Sequence, residues 1–168
     1  MKRILTIFLA LIIGLSMSAQ IQNKILGFTL GTTTKSEVYN KYKNQEYFSA
    51  DDDGTISVGD IVFAGQKWDL TLFSFYNNIL LSVQFNLGEQ MTSLNIMDSA
   101  WESFQNKLWD KYSDYAVDSQ RSDMIFYTDG ITRLSLAYLY ISSNKILTLQ
   151  YADTDLSEQK SQAEIDEL

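Results

Sequence analysis

Two stretches of this chain carry the same series of strand-length apolar alternations, in the same order and behind the same kind of helix. Asp60-Ile61-Val62-Phe63 is matched by Asp123-Met124-Ile125-Phe126, and a glycine turn follows each, at Gly65 and at Asp129-Gly130. Leu70-Thr71-Leu72-Phe73-Ser74-Phe75-Tyr76 is matched by Leu134-Ser135-Leu136-Ala137-Tyr138-Leu139-Tyr140. Leu81-Ser82-Val83-Gln84-Phe85 is matched by Leu147-Thr148-Leu149-Gln150-Tyr151. Upstream, Val38-Tyr39-Asn40-Lys41-Tyr42 is matched by Phe104-Gln105-Asn106-Lys107-Leu108. A small unit that cannot bury its apolar face alone buries it against its copy. Short turns between strands imply antiparallel pairing. The expected fold is therefore α+β: tandem α-β-β-β units, at about 32–88 and 93–152, sharing antiparallel sheet with the helices packed on one face.

The second helix is the better marked. Leu94, Met97, Trp101, Phe104, Leu108 and Tyr112 recur at three- and four-residue steps, which predicts a helix over about 94–113. The first, over about 34–44, is announced by Thr34 and Glu37, a capping-box pair. Asn77-Asn78 suits a two-residue hairpin turn, because Asn tolerates positive φ. That turn pairs Tyr76 with Ile79, and strict alternation sets the faces. Trp68, Leu70, Leu72, Ser74, Tyr76, Ile79, Leu81, Val83, Phe85 and Leu87 fall on the expected core face. Leu134, Leu136, Tyr138, Tyr140, Leu147, Leu149 and Tyr151 do so in the second unit. The opposite face would carry Phe73, Phe75 and Gln84, with Arg133 and Gln150 from the second unit. Aromatic rings among polar groups resemble a recognition surface, so these five are the candidate ligand-binding residues.

The chain opens with Lys2-Arg3, an apolar run from Ile4 to Leu15, and Ser16-Met17-Ser18-Ala19-Gln20. This is the pattern of a secretory signal peptide cleaved near residue 19. The run is shorter than the roughly 20 apolar residues that span a bilayer. Cleavage would leave about 149 residues, one domain of ordinary size over 20–153 followed by an acidic tail at 154–168. Without Lys2 and Arg3 the balance is 11 basic against 21 acidic residues. An acidic chain with no basic run is a poor partner for nucleic acid. Anionic membrane surfaces are disfavoured on the same ground.

There is no Cys and no His. Ser-His-Asp and Cys-His nucleophile systems are thereby impossible, as are zinc sites built on thiolate or imidazole. Asp51-Asp52-Asp53-Gly54 resembles part of a calcium loop, but Ser49 stands where the first ligand belongs. No helix is expected after it. It reads as a turn, and no metal, cofactor or catalytic residue is expected.

Gly27-Phe28-Thr29-Leu30-Gly31-Thr32-Thr33-Thr34-Lys35-Ser36-Glu37-Val38 resembles the Gly-x-(Ser/Thr)-x-x-x-Val lead-in to the first helix of small exported bacterial α/β proteins. Tandem helix-plus-sheet units of this kind are similar to the β-lactamase inhibitor protein class. A single such unit is similar to the small lipoprotein of the outer-membrane barrel-assembly machinery. The chain lacks the Gly-x-Pro that follows the first helix in those families, and it lacks their lipidated Cys. The resemblance implies a non-catalytic protein that binds a protein or peptide partner in the cell envelope, periplasmic or surface-associated, of a Gram-negative bacterium. A carbohydrate-binding or carboxylate-dependent hydrolytic module, and a purely structural accessory domain, are the other readings.

Overall fold

The computed structural model describes residues 20–51, 54–117, 121–141 and 143–167. The expected signal peptide, and Asp52 and Asp53 of the acidic turn, lie outside the described residues. A small hairpin of β1 (Lys24–Ile25) and β2 (Phe28–Thr29) leads into helix α1 (Lys35–Tyr42). Strands β3 (Phe48–Ala50), β4 (Ile56–Phe63), β5 (Gln66–Tyr76) and β6 (Ile79–Gly88) follow. Helix α2 (Leu94–Tyr112) opens the second unit, which continues through β7 (Ala116–Val117), β8 (Met124–Thr128), β9 (Thr132–Ile141) and β10 (Asn144–Asp153). The chain closes with α3 (Thr154–Asp166).

The strands of both units form one antiparallel sheet in the order β3-β4-β5-β6-β10-β9-β8-β7. Each unit is laid out from the central β6–β10 seam toward its own edge, so the sheet has an approximate two-fold arrangement about that seam. The α+β class with antiparallel sheet is as expected, with one addition. Each unit has a fourth strand, β3 or β7, of three and two residues, too short to leave a periodic signature. Short edge strands also limit pairing with other chains.

Local chemistry explains both main helices. Thr34 N–H donates to Glu37 Oε2 at 2.7 Å, and Glu37 N–H donates to Thr34 Oγ1 at 3.4 Å, so the expected capping box closes. In the stripe of α2, Leu94 is exposed and Trp101 is half-buried, while Met97, Phe104, Leu108 and Tyr112 are buried as expected, with Ala100 beside them. With Val38 and Tyr42 of α1, these buried residues share one core with Trp68, Phe85, Leu87, Leu134 and Leu149 of the sheet. The tail is helical, N-capped by Asp153, whose Oδ1 accepts from Leu156 N–H at 2.9 Å.

The hairpin turn is also as expected: Asn77 and Asn78 have φ of 48° and 65°, and Tyr76 pairs with Ile79. The register beyond it is not. Phe75 pairs with Leu80 while Ser74 pairs with Ser82, so Leu81 is an extra residue on β6. A bulge of this kind reverses the alternation of everything after it. Phe73 now lies opposite Val83 and Thr71 opposite Phe85, both turned to the core. Phe73 is fully buried, edge-on to Phe28 with centroids 5.9 Å apart, and Phe75 packs against the same core. The expectation that these two rings occupy the free face is therefore corrected. A second reversal falls at Asp60, where φ is 59°: Ile56 and Val58 are buried before it and Ile61 after it. Across the ladder, Trp68 is buried but Leu70 is 39% exposed. Leu70, Leu72, Ser74, Tyr76 and its partner Ile79 thus leave the expected core face, and Leu80 replaces Leu81 on it. Tyr140 is exposed as well, whereas the remaining core residues expected in the second unit are buried.

Candidate functional site

Both main helices cover one face of the sheet, and the candidate site lies on the other. Cross-strand pairing places Ser57, Leu72, Gln84, Gln150, Ser135 and Phe126 in one row across six strands. The next row runs through Leu70, Asn86, Thr148, Ala137 and Met124. Gln84 Nε2 donates to Asn86 Oδ1 at 2.8 Å, which fixes both amides. The structure therefore brings Gln84 and Gln150 together as direct neighbours across the seam. Arg133 stands one row away and points a guanidinium nitrogen to within 3.7 Å of Glu158 on α3. A hollow of about 220 Å³ lies between Ser157 of α3 and Arg133, Ser135 and Gln150 of the sheet. Three of the five candidate residues share this surface. Phe73 and Phe75 do not.

The other end of the face carries a feature that alternation did not reveal. Two hollows, of about 520 and 220 Å³, meet at Asp69, Leu70 and Met91. Tyr47 forms one wall, lying over Gly59 so closely that a Cβ there would meet the Tyr47 Cβ at 2.8 Å. Gly59 N–H also donates to the Tyr47 carbonyl at 2.8 Å. A glycine inside a strand pattern is the available sequence signal for such an approach. Met91 is 74% exposed and is carried by the loop after β6. Asp69 anchors that loop: its carboxylate accepts from Gly88 N–H at 3.0 Å and from the Thr92 hydroxyl at 2.9 Å. From the other side, Glu89 N–H donates to the Lys145 carbonyl and Lys145 N–H donates to Glu89 Oε2, both at 3.1 Å. Nothing in the apolar periodicity of the chain identifies Met91, whose neighbours are polar.

The most perturbed protonation equilibria sit on the helix-covered side. Tyr138 donates its hydroxyl to Asp98 Oδ1 at 2.8 Å, and Lys145 Nζ donates to the same oxygen at 3.1 Å. Lys145 also stands 3.7 Å above the Tyr138 ring, with Trp101 stacked on that ring at 4.9 Å. The hydrogen bonds from Tyr138 and Lys145 hold the Asp98 carboxyl below its ordinary value, and burial followed by the Asp98 carboxylate pushes the Tyr138 phenol up. This cluster ties α2 to β9 and β10. Asp51, in the acidic turn, accepts from the Ser49 hydroxyl at 2.9 Å and its carbonyl accepts from Gly54 N–H.

No protein-family model, curated protein or solved structure matches this chain.

Proposed function

We propose that this is a non-catalytic exported protein that binds a protein or peptide through the outer face of its sheet. The observation that carries the reading is the placement of α1 and α2 on one face, while α3 borders the other face beside Arg133 and Gln150. That other face presents half-buried Ser57, Gln84, Ser135 and Gln150, with Asn86, Thr148 and Ala137 buried among them and Leu70 and Met91 exposed at one end. A mixed polar and apolar surface of that breadth has the composition of an interface. The leader pattern at Lys2–Gln20 supports export, in a Gram-negative envelope on the resemblance above. Among the described residues no helix is long and apolar enough to cross a membrane. A sugar site needs open aromatic rings for stacking, and on this sheet Phe73 is fully buried and Phe75 packs against the core.

The test is capture from a bacterial envelope fraction on immobilised protein, with Gln150→Lys alongside. Gln150 is half-buried in the middle of the outer face, so a bulky cation there should displace a partner while leaving the urea midpoint near its original value. A partner retained equally by both proteins would sink the outer-face reading.

A further inference from the structure

The groove at the β3–β4 end of the outer face has an apolar floor and an acidic rim. Leu70 and Met91 join its two halves, with Tyr47 and Ile141 at the ends, and all four are exposed. Glu46, Asp60, Asp69 and Glu89 line it, and no Lys or Arg lines either half. Two of those carboxylates are already engaged, Asp60 with Lys67 Nζ at 3.0 Å and Asp69 with the Gly88–Thr92 loop. The other two are available. Glu46 makes no ion pair or hydrogen bond among the described residues, and Glu89 receives only the Lys145 backbone N–H.

From this charge pattern we infer that the groove takes a peptide segment in which an apolar side chain is flanked by Lys or Arg. The apolar side chain seats on Leu70 and Met91, and the cation reaches Glu46 or Glu89. The inference rests on the outer face being a binding surface and names the chemistry of its partner. Complementarity of charge steers encounter and rejects the wrong partner, and the chain's excess of acid, 21 against 13 basic residues, acts in the same direction. A second copy of the chain would bring the same carboxylates against themselves, and an anionic membrane would be repelled. The groove is also preorganised. Gly59 lets Tyr47 close one wall, and Asp69 and Lys145 hold the Met91 loop from both sides, so little ordering accompanies binding.

The experiment pans a random-peptide display library on the purified protein and measures the enriched peptides by fluorescence anisotropy. Enriched sequences should place Lys or Arg within two positions of Leu, Ile, Met or Phe. Leu70→Ser with Met91→Ser should weaken them about tenfold or more. Glu46→Gln with Glu89→Gln should weaken them by a few-fold and flatten the salt dependence. All four side chains are exposed, and equal urea midpoints verify that each variant is folded. Enriched peptides without basic residues, or peptides that bind the Leu70/Met91 variant unchanged, overturn the groove. If those peptides are instead lost on Gln150→Lys, the outer face stands as a binding surface and the groove does not. A library from which the protein retains nothing overturns the groove, and the envelope capture then decides the face separately.

Discussion

Phe73 shows how much one residue's orientation decides. Its ring lies 5.4 Å from Tyr42 and 5.9 Å from Phe28, in the part of the core where α1, β2 and β5 meet. Phe73→Ala should cost about 3–5 kcal/mol, the range for an aromatic truncated in a packed interior. A loss under about 1 kcal/mol in urea unfolding would instead mean a ring at the surface. Tyr42 beside it supplies a pH effect whose sign follows from burial. Desolvation pushes its phenol from 10.0 up to about 12. In the unfolded chain the phenol ionises near its ordinary value, while the folded protein keeps it protonated. Stability therefore falls as pH rises from about 10 to about 12. Tyr138 and Tyr151 are raised as well and add to the same limb. Tyr42→Phe should flatten the alkaline limb of the stability–pH curve. An identical limb in the variant would show that Tyr42 contributes nothing to it.

The Gly88–Thr92 segment is held at both ends by side-chain and backbone bonds rather than by apolar packing, so its integrity depends on Asp69. Asp69→Ala leaves Gly88 N–H and the Thr92 hydroxyl without their acceptor. We expect a loss of about 1–2 kcal/mol and faster amide exchange confined to 88–92, measured by hydrogen–deuterium exchange. Unchanged exchange there would mean that the Glu89–Lys145 pairing alone fixes the loop. Elements of this kind explain what was legible in the sequence. The capping box, the α2 stripe and the Asn77-Asn78 turn each depend on neighbours within four positions, and each was readable. The face of β5 was not. Leu70, Leu72, Thr71, Phe73 and Phe75 are apolar or nearly so on both parities, so alternation alone does not choose between them. The choice is made by Leu81, which bulges on β6, and by Asp60, which adopts positive φ on β4. It is a tertiary choice against local preference. The Thr71 hydroxyl ends up buried without a partner while Leu70 faces solvent. In β9 and β10, where Ser135, Thr148 and Gln150 alternate with Leu134, Leu136, Leu147 and Leu149, the pattern is unambiguous and the core face is as expected apart from Tyr140, which is exposed near the end of β9. Arg133, Gln84 and Gln150 therefore fell where expected, and Phe73 and Phe75 did not.

The two units are interlocked well beyond the β6–β10 seam, and that makes the molecule one cooperative body. Trp68 of the first unit packs on Phe104 of α2, with centroids 5.4 Å apart, and Phe63 meets Tyr151 edge-on at 6.0 Å. Ile21 N–H donates to Asp129 Oδ2 at 2.9 Å, tying the start of the described chain to a turn of the second unit. At the seam itself Val83, Phe85 and Leu87 lie directly opposite Tyr151, Leu149 and Leu147. Separating the units would expose these side chains together with the unpaired edges of two ten-residue strands, a combination that promotes association with other chains. Urea should therefore unfold the protein in a single transition. Its tryptophans allow this to be checked unit by unit. A Trp68→Phe variant reports only Trp101 and Trp109 on α2, and a Trp101→Phe/Trp109→Phe variant reports only Trp68. Within each variant the fluorescence midpoint should coincide with the far-ultraviolet circular dichroism midpoint. The fragment 20–92 should be unfolded or self-associated in isolation and should become structured when 93–168 is added. Two separated midpoints, or a folded monomeric 20–92 fragment, would show that each unit stabilises itself and that the seam is a docking contact between independent domains.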